Sequence, residues 1–207
     1  MKLKKKAKIV LISLAVLIIG VLGVVAYKKL FTKEQVKETK IISSIKKYDY
    51  HLKDNKSKKY QSYFKELNKV LSEKEVDEEK YASKISEMFI VDFFSLNDRS
   101  AKTDVGGVDF VHPDALENFL QNAENTYYKN LESNIYGNRK QQLPTVDTIT
   151  IESVEKTSYS YNDAEDSNAY LVKASWTYTE DKYADYQQNA SMIFVHIENK
   201  LYLVELA

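Results

Sequence analysis

One carboxylate stands alone in an apolar run. Asp92 lies inside Met88-Phe89-Ile90-Val91-Asp92-Phe93-Phe94-Ser95-Leu96. A helix apolar on nearly all sides is a buried helix. Burial disfavours the charged form of a carboxyl, so Asp92 is expected to have a raised pKa and to be able to serve as a general base. The competing role is structural: its oxygens accept hydrogen bonds from backbone donors of the Asp104–Gly107 loop and hold that loop down. His196 is the second candidate, on a run in which Met192, Phe194 and His196 alternate with Ile193, Val195 and Ile197. Tyr170, Trp176 and Tyr178 share one face of a neighbouring run and are able either to line a cleft beside these groups or to form core.

The remaining chemistry is sparse. His112 precedes Pro113 and is positioned to cap the helix that Pro113 opens. His51 has no acidic or histidine partner at ligand spacing, so the three histidines form no recognisable metal site. The chain has no cysteine, which excludes disulfides, thiolate metal sites and cysteine nucleophiles. It holds no Gly-x-Ser-x-Gly elbow, phosphate-binding glycine loop or His-Glu-x-x-His pair, and no cofactor is expected.

Helices come first among the elements that position these residues. Tyr60, Tyr63, Phe64, Leu67, Val70 and Leu71 make one apolar stripe on a helix starting at Ser57. Ser72-Glu73-Lys74-Glu75 reads as a capping box opening a second helix that runs to about Leu96. Pro113 opens a third, whose buried stripe is Leu116, Phe119, Leu120, Ala123, Tyr127 and Leu131. Gly106-Gly107 supplies backbone freedom between them. Beyond Pro144 the period changes to two, with strands expected at 146–161, 168–180, 189–198 and 200–206. Parity slips between Ile151 and Val154, the mark of a bulge and a bend. The expected fold class is α+β, with three helices packed on a bent four-stranded antiparallel sheet.

Ahead of this domain lies a different kind of segment. Ile9 to Tyr27 are nineteen residues without a charge, about 28 Å as a helix and close to the thickness of a bilayer core. A cleaved secretory signal is the alternative, but its apolar stretch is shorter and Lys28 and Lys29 would follow the cut. The expected organisation is a basic tail over 1–8, a single transmembrane helix over 9–27, a basic stalk over 28–56 and the α+β domain over 57–207. Residues 33–47 are expected to form a short helix or stalk leaving the membrane, and Tyr48, Tyr50 and Leu52 a short strand. Lysines flank both sides of the span; their density in the tail and the ease with which long domains translocate orient the N-terminus inside the cell and the domain outside. Residues 33–207 hold 23 basic against 30 acidic residues, which argues against a nucleic-acid partner. The partners expected are the lipid bilayer and either another protein or further copies of the chain, without metal.

Helices followed by a long, bent meander with a Trp- and Tyr-rich face resemble the cone fold of the ketosteroid-isomerase and nuclear-transport-factor type, over residues 57–207. With its short tail, single span and exported domain, the chain also resembles the inner-membrane assembly subunits of type IV secretion and conjugation machines. That resemblance implies a protein-binding scaffold without catalysis. Membership among the cone-fold enzymes would instead imply a general base inside the cone, at Asp92 or His196, with Tyr170, Trp176 and Tyr178 around it.

Overall fold

A computed structural model describes residues 39–161 and 164–207. The expected basic tail, the Ile9–Tyr27 segment and the start of the stalk lie outside the described residues. Among those described, no helix is long and apolar enough to cross a membrane.

The described chain from Lys40 to Ala207 is one compact unit of α+β class. Its elements are β1 (Ile41–Ile45), β2 (Tyr50–Lys53), α1 (Lys58–Leu71), α2 (Glu78–Phe94), α3 (Leu116–Asn125), β3 (Val146–Tyr161), β4 (Ala164–Tyr178), β5 (Asn189–Ile197) and β6 (Lys200–Leu206). Strands β3 to β6 form a four-stranded antiparallel meander in sequence order. The expected bulge is present, as the β3–β4 register shifts between Ile151 and Ser153. The strand apolar on both faces, β5, lies in the interior of the sheet. Met192 and Phe194 are fully buried on one face and Val195 is buried on the other.

Helix α2 is the buried helix that its composition requires. Every residue from Met88 to Leu96 is buried. Phe89 and Phe93 stack at 5.3 Å, and Phe94 meets Trp176 of β4 at 4.3 Å between ring centroids. Such aromatic pairs contribute about 1 kcal/mol each beyond the area they bury.

Four local expectations are corrected. Residues Ile41–Ile45 form a strand rather than a helix, paired with β2. This hairpin is packed into the unit: β-alternation turns Tyr50 and Leu52 inward, Tyr48 is buried from the 3-10 turn between the strands, and Tyr50 Oη lies 2.7 Å from Tyr81 Oη. The compact unit therefore begins at Lys40 and takes in part of the expected stalk. Ser72 closes α1 instead of opening α2; the N-cap of α2 is Asp77, whose side chain accepts from Lys80 N at 3.0 Å. Asp77 places Glu78 and Glu79 in the first turn, where the helix dipole favours them. Helix α3 ends at Asn125, so the helical period does not reach Tyr127. Tyr127 is 38% exposed, whereas its neighbour Tyr128 is fully buried.

Candidate functional site

The two candidate groups sit in different places and different company. Asp92, near the C-terminal end of α2, is 4% exposed. Lys56 Nζ donates to both carboxylate oxygens at 2.7 Å, and Arg99 Nη2 donates to Oδ1 at 3.0 Å. Gly107 N donates to Oδ2 at 2.8 Å. Burial by itself pushes the Asp92 carboxyl up, but the charges of Lys56 and Arg99 and the Gly107 hydrogen bond outweigh it and hold the group below the usual carboxylate range. The raised pKa expected of an isolated carboxylate is thus corrected. Asp92 is not isolated, and its oxygens receive four hydrogen bonds.

The loop beneath Asp92 is shaped to meet it. Gly107 adopts φ +76°, a left-handed conformation that favours glycine. At Gly106 an added Cβ would lie 2.0 Å from the main-chain oxygen of Asp92, so only glycine lets the two backbones approach. Tyr128 completes the lock: its hydroxyl donates to Phe93 O at 2.6 Å and accepts from Gly106 N at 3.1 Å. Arg139 ties the outer side, its guanidinium donating to Arg99 O and Asn97 O at 2.8 and 2.9 Å.

His196 lies at the far end of β5. Its main-chain N and its Nδ1 both stand 2.8 Å from Asp166 Oδ2. Burial alone raises the Asp166 carboxyl, yet hydrogen bonds from His196 and Asn168 bring it below its ordinary value. An ionised carboxylate only accepts, so His196 Nδ1 carries the proton in this pair. Nε2 lies 3.6 Å from Glu78 Oε1, and Tyr170 Oη donates to Glu78 Oε2 at 2.8 Å. A side chain from β4 and one from the first turn of α2 therefore flank the imidazole. A cavity of about 500 Å3 opens beside it, with Tyr159, Tyr161 and His112 in its wall. His112 caps the turn after it as expected, Nδ1 accepting from Asp114 N at 3.2 Å, and Tyr161 Oη lies 2.7 Å from the same nitrogen.

Tyr170 and His196 are neighbours, with ring centroids 6.1 Å apart. Trp176 is buried against Phe94, and Tyr178 donates to Gln187 O at 2.6 Å. Neither of these two lines the cavity beside His196, and Asp92 is absent from that cavity's wall. His51, expected to lack an acidic neighbour, stands 3.4 Å from Asp49, and both are well exposed. Among the described residues no group of three or more potential metal ligands converges.

Lys56, Arg99, Tyr128, Glu78 and Asp166 were not singled out by sequence. Arg99 carried a signal: only two of the 30 basic residues are arginines, and Arg99 and Arg139 prove to be in contact. Lys56 was hidden within a run of surface lysines. No protein-family description, curated protein or solved structure matches this chain.

Proposed function

We propose that the α+β unit is a protein-binding domain without catalysis, held at the outer face of a cell membrane by the Ile9–Tyr27 segment. The observation that carries this reading is the commitment of Asp92. The carboxylate best suited by sequence to be a base is sealed by Lys56, Arg99 and Gly107, away from the cavities. What the unit offers its surroundings is surface, including exposed Tyr127, Ile135, Tyr136 and Tyr186. The helix-backed, bulged meander is compatible with the cone fold of membrane-anchored assembly subunits, where such a domain serves as a scaffold. Chemical cross-linking of the full chain in its membrane, followed by extraction in mild detergent, tests the proposal. The expected result is a discrete species larger than the monomer, containing a partner or a second copy. A monomer under every growth condition would overturn it. Protease added to wall-stripped cells is expected to digest the domain; protection until lysis would place the domain inside.

A second reading rests on the Asp166–His196 pair. An imidazole oriented by a carboxylate beside a 500 Å3 cavity has the arrangement of a general base or a ligand anchor. Loss of small-molecule binding in His196→Gln, with the fold intact, would support that reading over the first.

A further inference from the structure

The four-stranded sheet ends at β6, and the position beyond it is partly filled. Val111 forms a single parallel bridge with Leu203, and His112 N donates to Leu203 O at 2.8 Å. Pro113 then turns the chain into a short 3-10 turn that leads to α3. One bridge earlier, Tyr50 and Tyr81 serve the same edge: Leu201 N donates to Tyr81 Oη at 3.1 Å, and Tyr50 Oη donates to Leu201 O at 3.3 Å. The first half of the β6 edge is therefore satisfied from within the unit.

The second half is not. Ala207 and Ser191 exchange both main-chain hydrogen bonds, at 2.8 and 2.9 Å. Antiparallel geometry then turns the N–H and C=O of Leu206 away from β5. No other main-chain group among the described residues meets them. They face a groove of about 390 Å3 between β6 and α3. Phe93 and Phe119 line it along with the side chains of Asn118 and Asn122, one helical turn apart.

We propose that this groove takes an extended segment of a partner polypeptide, which completes the strand position that Val111 occupies for one bridge. A strand added there would pair with the outward groups of Leu206 and place alternate side chains on the aromatic floor. The two carboxamides offer both donors and acceptors to the far side of such a backbone. The groove's one charged lining residue, Glu205, is engaged by Tyr159 Oη of β3 at 2.9 Å, so the segment is neutral at the contact and apolar at alternate positions. This inference rests on the protein-binding role proposed above and names the surface that performs it.

The test uses the full chain in mild detergent as bait for a displayed library of random heptapeptides. Enriched peptides are then labelled with fluorescein and titrated by anisotropy. Two variants localise the contact: Leu206→Pro removes an outward N–H, and Asn122→Trp fills the groove from an exposed helical position. Each is expected to weaken binding about tenfold or more while leaving the thermal melt of Asn122→Trp unchanged. Enriched peptides should read neutral, with alternating apolar residues. Absence of any enriched peptide, or equal affinity for wild type and Asn122→Trp, overturns the groove. The cross-linked species separates the two claims. If it forms equally in wild type and Asn122→Trp, the binding role stands and the strand site falls; if it forms in neither, both fall.

Discussion

Asp92 and His196 are both polar side chains clasped by charged neighbours, yet one is closed to solvent and the other borders a cavity. Asp92 is sealed on all sides, and its partners come from the segment before α1, the loop after α2 and the Gly106-Gly107 turn. His196 keeps 22% of its side chain exposed, and Asp166 keeps 18%. The difference teaches which polar cluster holds the fold and which is free to serve another purpose. Inside a low-dielectric core an unpaired charge is costly, so a complete network there is a structural commitment. At a partly exposed site water replaces a lost partner, and function can use the group cheaply.

The comparison is broken most directly at the glycines. Gly106→Ala places a methyl group 2.0 Å from Asp92 O, and backbone cannot yield as a flexible side chain would. A loss of about 4 kcal/mol in chemical denaturation, or failure to fold, is expected. Gly137 also has a positive φ, but a Cβ there meets nothing within 4 Å. Gly137→Ala should cost only about 1 kcal/mol, the conformational penalty alone. Equal losses at the two positions would show that the close approach to Asp92 is unimportant.

Next in size is Asp92 itself. Asp92→Ala strands Arg99, whose side chain is 9% exposed, and removes the acceptor of Gly107 N. Breaking a buried pair from one side costs about 3 kcal/mol or more. Asp92→Asn retains an acceptor for Gly107 without a counter-charge for Arg99, and should fall near 2 kcal/mol. Melting temperatures equal to or above wild type in both variants would refute the lock and revive Asp92 as a strained functional group.

How these sites were legible follows from the range of the interactions. The apolar run around Asp92, the paired glycines and the strand periods are local patterns, and each located its element, although β4 begins at Ala164, four residues before the expected start. Asp92 as the holder of the Gly106-Gly107 turn was one of two open readings, and the Gly107 hydrogen bond decides for it. The partners were not legible, because Lys56 lies 36 residues before Asp92 and resembles its solvated neighbours. The hairpin of β1 and β2 was obscured by the same lysines, whose charge reads as stalk while Tyr48, Tyr50 and Leu52 carry the packing. The helical period points to Tyr127 rather than Tyr128 only where the helix continues past Asn125, and there the chain leaves it.

Acid should distinguish the two clusters. The folded-state pKa of Asp92 lies below its ordinary value of 3.8. Its contribution is therefore fully present above that value and is lost as pH falls through the folded pKa. Asp166 is shifted in the same direction, but its solvent contact screens the effect. In melts between pH 6 and about pH 2.5, Asp92→Asn should flatten the acid limb markedly. Asp166→Asn should leave most of the limb in place. The reverse ranking would mean that the partly exposed pair, not the buried network, governs acid stability.

The smallest effect is expected at His196. In His196→Gln the main-chain N still donates to Asp166, and Asn168 N still donates to the same carboxylate. What is lost is the Nδ1 bond and the 3.6 Å approach to Glu78, whose side chain is 44% exposed. Glutamine can restore a donor at similar reach, and water can reach whatever is left over. The cost should be about 0.5–1 kcal/mol. Such a near-silent substitution is also the most discriminating one for function. If the cavity beside His196 binds a small molecule, this variant loses the ligand while its melt hardly moves. If the domain works through its strand edge, cross-linking yield and peptide affinity should both match wild type. A large loss of stability would instead make His196 a second lock, joining α2, β4 and β5, and would erase the distinction between the two sites.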